Sequence, residues 1–252
     1  MERPLILISN DDGVRAKGIN ELAKALKEFG DIVVIAPDST MSGMSSALTS
    51  EKPLRASLLQ DEESFRIYAC NGTPADCVKL AFNGLLNKTP DYVISGINHG
   101  ANTSVSVIYS GTVGAALEGC IHGVPSIALS LCSHDADANF SLMLPWVKRI
   151  FIQVLQNGLP KYTCLNVNFP DGNIEGLEVC RQAEGKWENE MEQRINPRGK
   201  PYFWLTGQFN NLEVSSKDTD LFAIEKQRAS VVPIKVDMTD YDFFNNLRSW
   251  DF

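Results

Sequence analysis

Residues 5–37 read LILISNDDGVRAKGINELAKALKEFGDIVVIAP, and this stretch decides the fold class. Leu5 to Ile8 is an unbroken apolar run with a polar stop at Ser9, as in a strand buried on both faces. Residues 10–18 have the composition of a loop. Ile19, Leu22, Leu26 and Phe29 then fall on one side of a helix, and Gly30 ends it. Residues 32–36 form a second apolar run, stopped by Pro37. Strand, loop, helix and strand in that order make a crossover unit, and such units build parallel sheets covered by helices.

The alternation continues outward from this unit. After a Ser/Gly-rich stretch without period at 38–50, strands are expected at 65–70, 92–95, 126–131 and 163–167. Helices are expected from Thr73-Pro74 to about Leu86, at 112–122 and at 142–155. From about Asn173 the character changes. Glu184, Lys186, Glu188, Glu190 and Glu192 crowd together, and Pro197, Pro201, Tyr202, Phe203 and Trp204 follow. The expected organisation is an α/β domain over 1–172, with a mostly parallel sheet flanked by helices. A smaller hairpin-rich region over 173–252 would follow, and its Trp187, Tyr202, Phe203 and Trp204 suit a subunit interface.

The chain has 252 residues, 44% of them hydrophobic, enough for a real core. Its formal charge of −8 gives no general attraction for a nucleic acid backbone, so no nucleic acid partner is expected. An anionic substrate would need a local reversal of the field, from a metal ion, a helix N-terminus or converging backbone amides. The six cysteines include no CxxC pair and several sit in apolar runs, which fits buried thiols in a reducing compartment. The N-terminus turns acidic too early for a signal peptide, and no apolar run approaches the ~20 residues of a membrane span. A cytoplasmic protein without membrane partners is expected.

Polar signatures cluster after the expected strands, where α/β folds place their ligands. Asn10-Asp11-Asp12-Gly13 sets two carboxylates side by side; they repel unless a cation joins them, although an Asx turn capping a helix explains the same letters. Residues 36–43, APDSTMSG, offer hydroxyls for a cation or phosphate, or form a simple linker. Asn71-Gly72-Thr73-Pro74-Ala75-Asp76-Cys77 is an anion or base-contact site, or an ordinary capped helix. In Ser95-Gly96-Ile97-Asn98-His99-Gly100-Ala101-Asn102, Asn98 would emerge at a strand end with a neutral oxygen for a metal. Tyr109-Ser110-Gly111-Thr112-Val113 puts hydroxyls and free N–H groups at a helix start. Neither GxxxxGK[ST] nor GxGxxG occurs.

Taken in order, these motifs resemble the SurE (survival protein E) family of 5′(3′)-nucleotidases, densely over the first half of the chain and again at Asp218-Thr219-Asp220 and residues 231–236. The resemblance implies a Rossmann-like domain and a C-terminal region that forms dimers or tetramers by exchanging segments. It implies one divalent cation per subunit, Mg²⁺ or Mn²⁺, on Asp11, Asp12, Ser42 and Asn98. Asn102 and Ser110-Gly111-Thr112 would surround the phosphate of a nucleoside monophosphate, with Asp11, Asp12 and Asn102 as the catalytic set. With both carboxylates committed to the ion, water is the expected nucleophile. His99 is a candidate proton donor to the leaving oxygen or a mere wall of the pocket. His122 falls at a helix end and His134 in a polar loop. Between Asn102 and Tyr109 this chain reads Thr103-Ser104-Val105-Ser106-Val107, where relatives carry Gly and Asp. Residues 39–41 lack the basic residue some relatives have. The competing readings are a broader phosphatase or exopolyphosphatase using the same site, and a non-catalytic nucleotide-binding module.

Overall fold

The computed structural model describes residues 3–135 and 137–251. The first strand, β1 (Leu5–Ser9), alternates its side chains between two helical layers: Ile6 and Ile8 face one core, Leu5 and Leu7 the other. The remaining elements of the first half are α1 (Lys17–Leu26), β2 (Asp31–Pro37), β3 (Ala56–Glu62), β4 (Phe65–Cys70), α2 (Pro74–Leu80), β5 (Tyr92–His99), α3 (Ser106–Tyr109) and α4 (Gly111–Ile121). Next come β6 (Ser126–Leu131), α5 (Leu144–Asn157), β7 (Thr163–Phe169) and β8 (Gly176–Val179). Strands β9 (Gly185–Glu188), β10 (Met191–Ile195), β11 (Pro201–Leu205) and β12 (Gln208–Asn211) precede α6 (Asp220–Glu225), β13 (Arg228–Lys235) and α7 (Tyr241–Leu247).

The main sheet has nine strands in the order β3-β4-β2-β1-β5-β6-β7-β13-β8. From β4 through β7 neighbouring strands are parallel, whereas β3 and β13 run antiparallel to β4 and β7. Val147, Ile150, Phe151 and Val154 of α5 join Ile19, Leu22 and Leu26 of α1 on one face. Cys77 and Val78 of α2 and Ala115 of α4 cover the other. Successive units leave β1 in opposite directions, β2 and β4 to one side and β5, β6 and β7 to the other. The crevice between the carboxyl ends of β1 and β5 is therefore the switch point, where such sheets bind ligands.

Several elements differ from expectation. Strand β3 was not expected; it is an exposed edge strand with little apolar signal. Strand β5 runs on to His99, past the expected stop at Gly96, through a register shift between Ser95 and Asn98. Helix α2 gives way at Ala81–Leu85 to a single π-helical turn. Both β8 and β13, beyond residue 172, are strands of the main sheet rather than of an appended hairpin. The hairpins of that region are β10 with β11 and β9 with β12, which form one interrupted antiparallel arm. No helix among the described residues is long and apolar enough to cross a membrane. All six cysteines are free thiols, and all but Cys132 are buried.

Candidate active site

At the end of β1 the outer residues of Asn10-Asp11-Asp12-Gly13 shape the turn. The Asn10 side chain accepts from the Gly13 N–H at 3.1 Å and donates to the Gly13 carbonyl at 3.1 Å. Gly13 sits at φ +101°, a conformation glycine adopts without a Cβ penalty. The Asx turn and the chemical reading thus coexist in one motif, and the inner pair is freed for chemistry.

Asp11 is 4% exposed. Burial pushes its carboxyl up to about 6, the Thr112 hydroxyl opposes the rise, and the neighbouring Asp12 charge adds to it. The Thr112 hydroxyl donates to Asp11 Oδ1, so the first turn of α4 is aimed at this carboxylate. Gly111 makes that approach possible: a Cβ there would stand 2.9 Å from Asp11 Cβ and 3.2 Å from Pro74 Cγ. Asp12 is also raised by burial, against a hydrogen bond from the His99 N–H at 3.1 Å.

The remaining expected donors converge on the same crevice. The Met41 N–H bonds the Asp11 carbonyl at 2.7 Å and Thr40 Oγ1 the Asp12 carbonyl at 3.3 Å, which ties the exposed Ser42 loop to the acidic turn. The irregularity in β5 carries Asn98 to the crevice. Its amide nitrogen donates to the Gly100 carbonyl at 2.8 Å, leaving its amide oxygen as the donor atom for a cation. One cavity of about 510 Å³ is lined by Asp11, Ser42, Asn98, Asn102 and Ser110 together. No Lys or Arg lines it among the described residues. One buried and one half-buried carboxylate, an amide oxygen and a hydroxyl, unbalanced by any Lys or Arg in the lining among the described residues, are the donor chemistry of a hard divalent ion.

The expected phosphate set divides. Asn102 lines the cavity and one of its amide hydrogens goes to Ser130 Oγ at 2.8 Å, leaving the other free of that bond. Ser110 lines the cavity too, and its oxygen caps α4 by accepting from the Val113 N–H at 3.1 Å. Gly111 and Thr112 do not line it; they are buried behind Asp11, so their part is to position that carboxylate.

Residues outside the expected site hold this arrangement. Asn168 and Asn166, fully buried on β7, clamp the Asn102 backbone: Asn168 accepts its N–H at 2.7 Å, and Asn166 donates to its carbonyl at 2.8 Å. Their signal was legible, two polar side chains alternating with Leu165, Val167 and Phe169 in a buried strand. Asp220 is buried and accepts from the Ser104 N–H at 2.8 Å and the Ala183 N–H at 3.0 Å, pinning the loop after Asn102 to the arm's root. Thr219 caps α6 beside it. His134 packs its ring on Gly100 and joins His99 in the cavity wall, whereas His122 stays away, paired with Glu118 at 3.3 Å and stacked on Phe82. The Asn71–Cys77 motif is a capping box, Thr73 with Asp76, and Asp76 also accepts the Thr49 N–H at 3.0 Å.

A family model described as "Survival protein SurE" matches residues 6–189. The 5′-nucleotidase SurE of Phocaeicola vulgatus is 51% identical over 251 residues, covering 99% of this chain and 98% of its own. That of Caldanaerobacter subterraneus is 42% identical over 253 residues, covering 99% and 98%. The crystal structure of the SurE protein from Aquifex aeolicus superposes with a TM-score of 0.83 at 37% identity, covering 97% of this chain and 98% of that one. The α/β topology, the acidic turn at its switch point and relatives matched end to end lead to one assignment: this chain belongs to the survival protein SurE family.

Proposed function

We propose that this protein is a divalent-metal-dependent 5′-nucleotidase that hydrolyses nucleoside 5′-monophosphates to nucleoside and inorganic phosphate. The observation that carries the reading is the pair Asp11 and Asp12, raised by burial beside a cavity that no Lys or Arg lines among the described residues. Relatives whose names state this activity support it.

Asp11, Asp12, Ser42 and Asn98 would hold one cation, Mg²⁺ or Mn²⁺ by the hardness of these oxygens. When bound, it neutralises phosphate charge and polarises the phosphorus–oxygen bonds. The chain's own groups do the rest. Thr112 and the start of α4 orient Asp11. Asn102, held by Asn166, Asn168 and Ser130, directs its remaining amide hydrogen at an equatorial phosphate oxygen, and Ser110 lies beside it. Water would be the nucleophile, since Asp11 and Asp12 would both be engaged in holding the ion, and the proton it sheds would pass to solvent at the mouth of the cavity. The departing 5′-oxygen would take its proton from a solvent water on the side of the cavity that His99 and His134 line.

Self-association belongs to the same proposal, through residues 173–252. Ile195, Phe203, Trp204 and Leu205 stand 59–74% exposed on the arm, and α7 has no buried residue while Phe243 and Phe244 are exposed. Apolar area of this kind seeks a partner, here a second copy in a dimer or tetramer. Thiols that are all unpaired fit a cytoplasmic protein.

The test is release of phosphate from nucleoside 5′-monophosphates, 3′-monophosphates and short polyphosphate. Turnover is expected on the 5′ esters, more slowly on the 3′ esters, stopped by EDTA and restored by Mg²⁺ or Mn²⁺. Full activity in EDTA refutes the metal requirement. Metal-dependent nucleotide binding with no release across the panel makes the protein a binding module.

A further inference from the structure

The cavity has a second wall, which the phosphate chemistry does not use. It comes from the arm, where the pairing of β9 with β12 stops and that of β10 with β11 begins. The interruption is built by Asn189 at φ 54° and Gly207 at φ +128°, and it is closed by the Thr206 N–H on the Glu190 carbonyl at 2.8 Å. Trp187, Glu190, Leu205 and Thr206, all at this break, line the same cavity as Asp11 and Asn98.

Trp187 is held in place. Its indole N–H donates to Ser106 Oγ at 3.3 Å, and its ring meets Phe209 edge-on with centroids 5.6 Å apart. It nevertheless stays 39% exposed, so an aromatic surface is presented at fixed geometry. Glu190 is exposed, and its side chain has no hydrogen-bond or ion-pair partner among the described residues. A carboxylate in a cavity that receives a dianion repels that dianion, and it can only accept hydrogens. The cavity is therefore two-ended, with cation-seeking oxygens at the switch point and an aromatic face with one acceptor on the arm. Its 510 Å³ lies in the range of about 300–1,000 Å³ usual for small-molecule sites.

We propose that the arm wall is the nucleoside-recognition surface, with Trp187 seating the base and Glu190 accepting hydrogens from the nucleoside's hydroxyl or amino groups. This rests on the 5′-nucleotidase reading and names what selects its substrate. Glu190 also sets polarity: it keeps the phosphate at the Asp11 end and penalises a chain of phosphates that would extend towards the arm. Base stacking on an aromatic side chain is sequence-tolerant, so the wall favours nucleotides over other phosphomonoesters without demanding one base.

The experiment measures kcat/KM with Mn²⁺ for adenosine 5′-monophosphate, glycerol phosphate and tripolyphosphate in the intact chain. Trp187→Ala is expected to lower the ratio of adenosine monophosphate to glycerol phosphate about tenfold, mostly through KM, and Trp187→Phe to retain most of it. Glu190→Gln, on an exposed residue whose loss leaves folding intact, is expected to lower the ratio of adenosine monophosphate to tripolyphosphate severalfold. A merely structural Trp187 would depress all substrates together, and ratios unchanged in both variants overturn the proposal. A wild-type protein inactive on every nucleoside monophosphate overturns the 5′-nucleotidase reading and this inference with it, whereas active wild type with unchanged ratios overturns the inference alone.

Discussion

Replacing Asp11 by Asn should make the metal-free protein more stable while abolishing turnover. Asp11 titrates near 3.8 when unfolded and at about 6 in the folded chain, chiefly because burial disfavours its charge. Between those values the folded state holds the proton more tightly, so stability falls as pH rises through the window and the whole penalty is present above it. At about 1.4 kcal/mol per pH unit this amounts to about 3 kcal/mol, a ceiling because structural relaxation reduces it. Asparagine is uncharged throughout, and its amide oxygen still accepts the Thr112 hydroxyl, so the substitution removes the charge and leaves the contact. In EDTA, Asp11→Asn should raise Tm at pH 7.5 by up to roughly 6–12 °C, and by less than a third of that at pH 4. Mn²⁺ should then stabilise the wild type but not the variant. Scanning calorimetry at both pH values reads all of this. A gain of equal size at the two pH values, or a loss at pH 7.5, would refute a buried, cation-seeking carboxylate, and near-wild-type turnover would remove Asp11 from the metal site.

Asn102→Ala should lower kcat about 100-fold with little change in KM, because its contact strengthens as charge develops on phosphorus; a change confined to KM would reduce it to uniform binding. Asp76→Ala should cost about 2 kcal/mol in urea denaturation, since it removes the carboxylate that accepts both the Thr73 and the Thr49 N–H, and an unchanged midpoint would show that the box is ornamental. Light scattering at micromolar concentration should give twice or four times the chain mass of 27.8 kDa, and a monomer would leave the exposed arm and α7 without their proposed partner.

Local chemistry alone determined much of this protein. Apolar runs punctuated by Gly30 and Pro37 specify strand, helix and strand, because burial on both faces leaves no room for polar residues. Motifs at strand ends were legible for the same reason: the only polar breaks in such a run are the turns where ligands are met. Of the expected cation ligands Asp11, Ser42 and Asn98 share one cavity with Asn102, and Asp12 stands beside it without lining it, although no spacing rule connects residues so far apart in the chain. Tertiary structure decided the rest. That Thr112 serves Asp11 rather than lining the cavity follows from the approach of α4 to β1, which the absence of a Cβ at Gly111 permits. That Asn166 and Asn168 clamp Asn102 depends on β6 and β7 lying side by side beyond β5, a pairing between distant segments. That the arm supplies Trp187 and Glu190 to the cavity depends on Asp220 bonding both Ser104 and Ala183, contacts spanning 116 and 37 residues. Side-chain periodicity encodes which face of an element is buried, but not which distant element will cover it, and the second wall of this site is made of such distant elements.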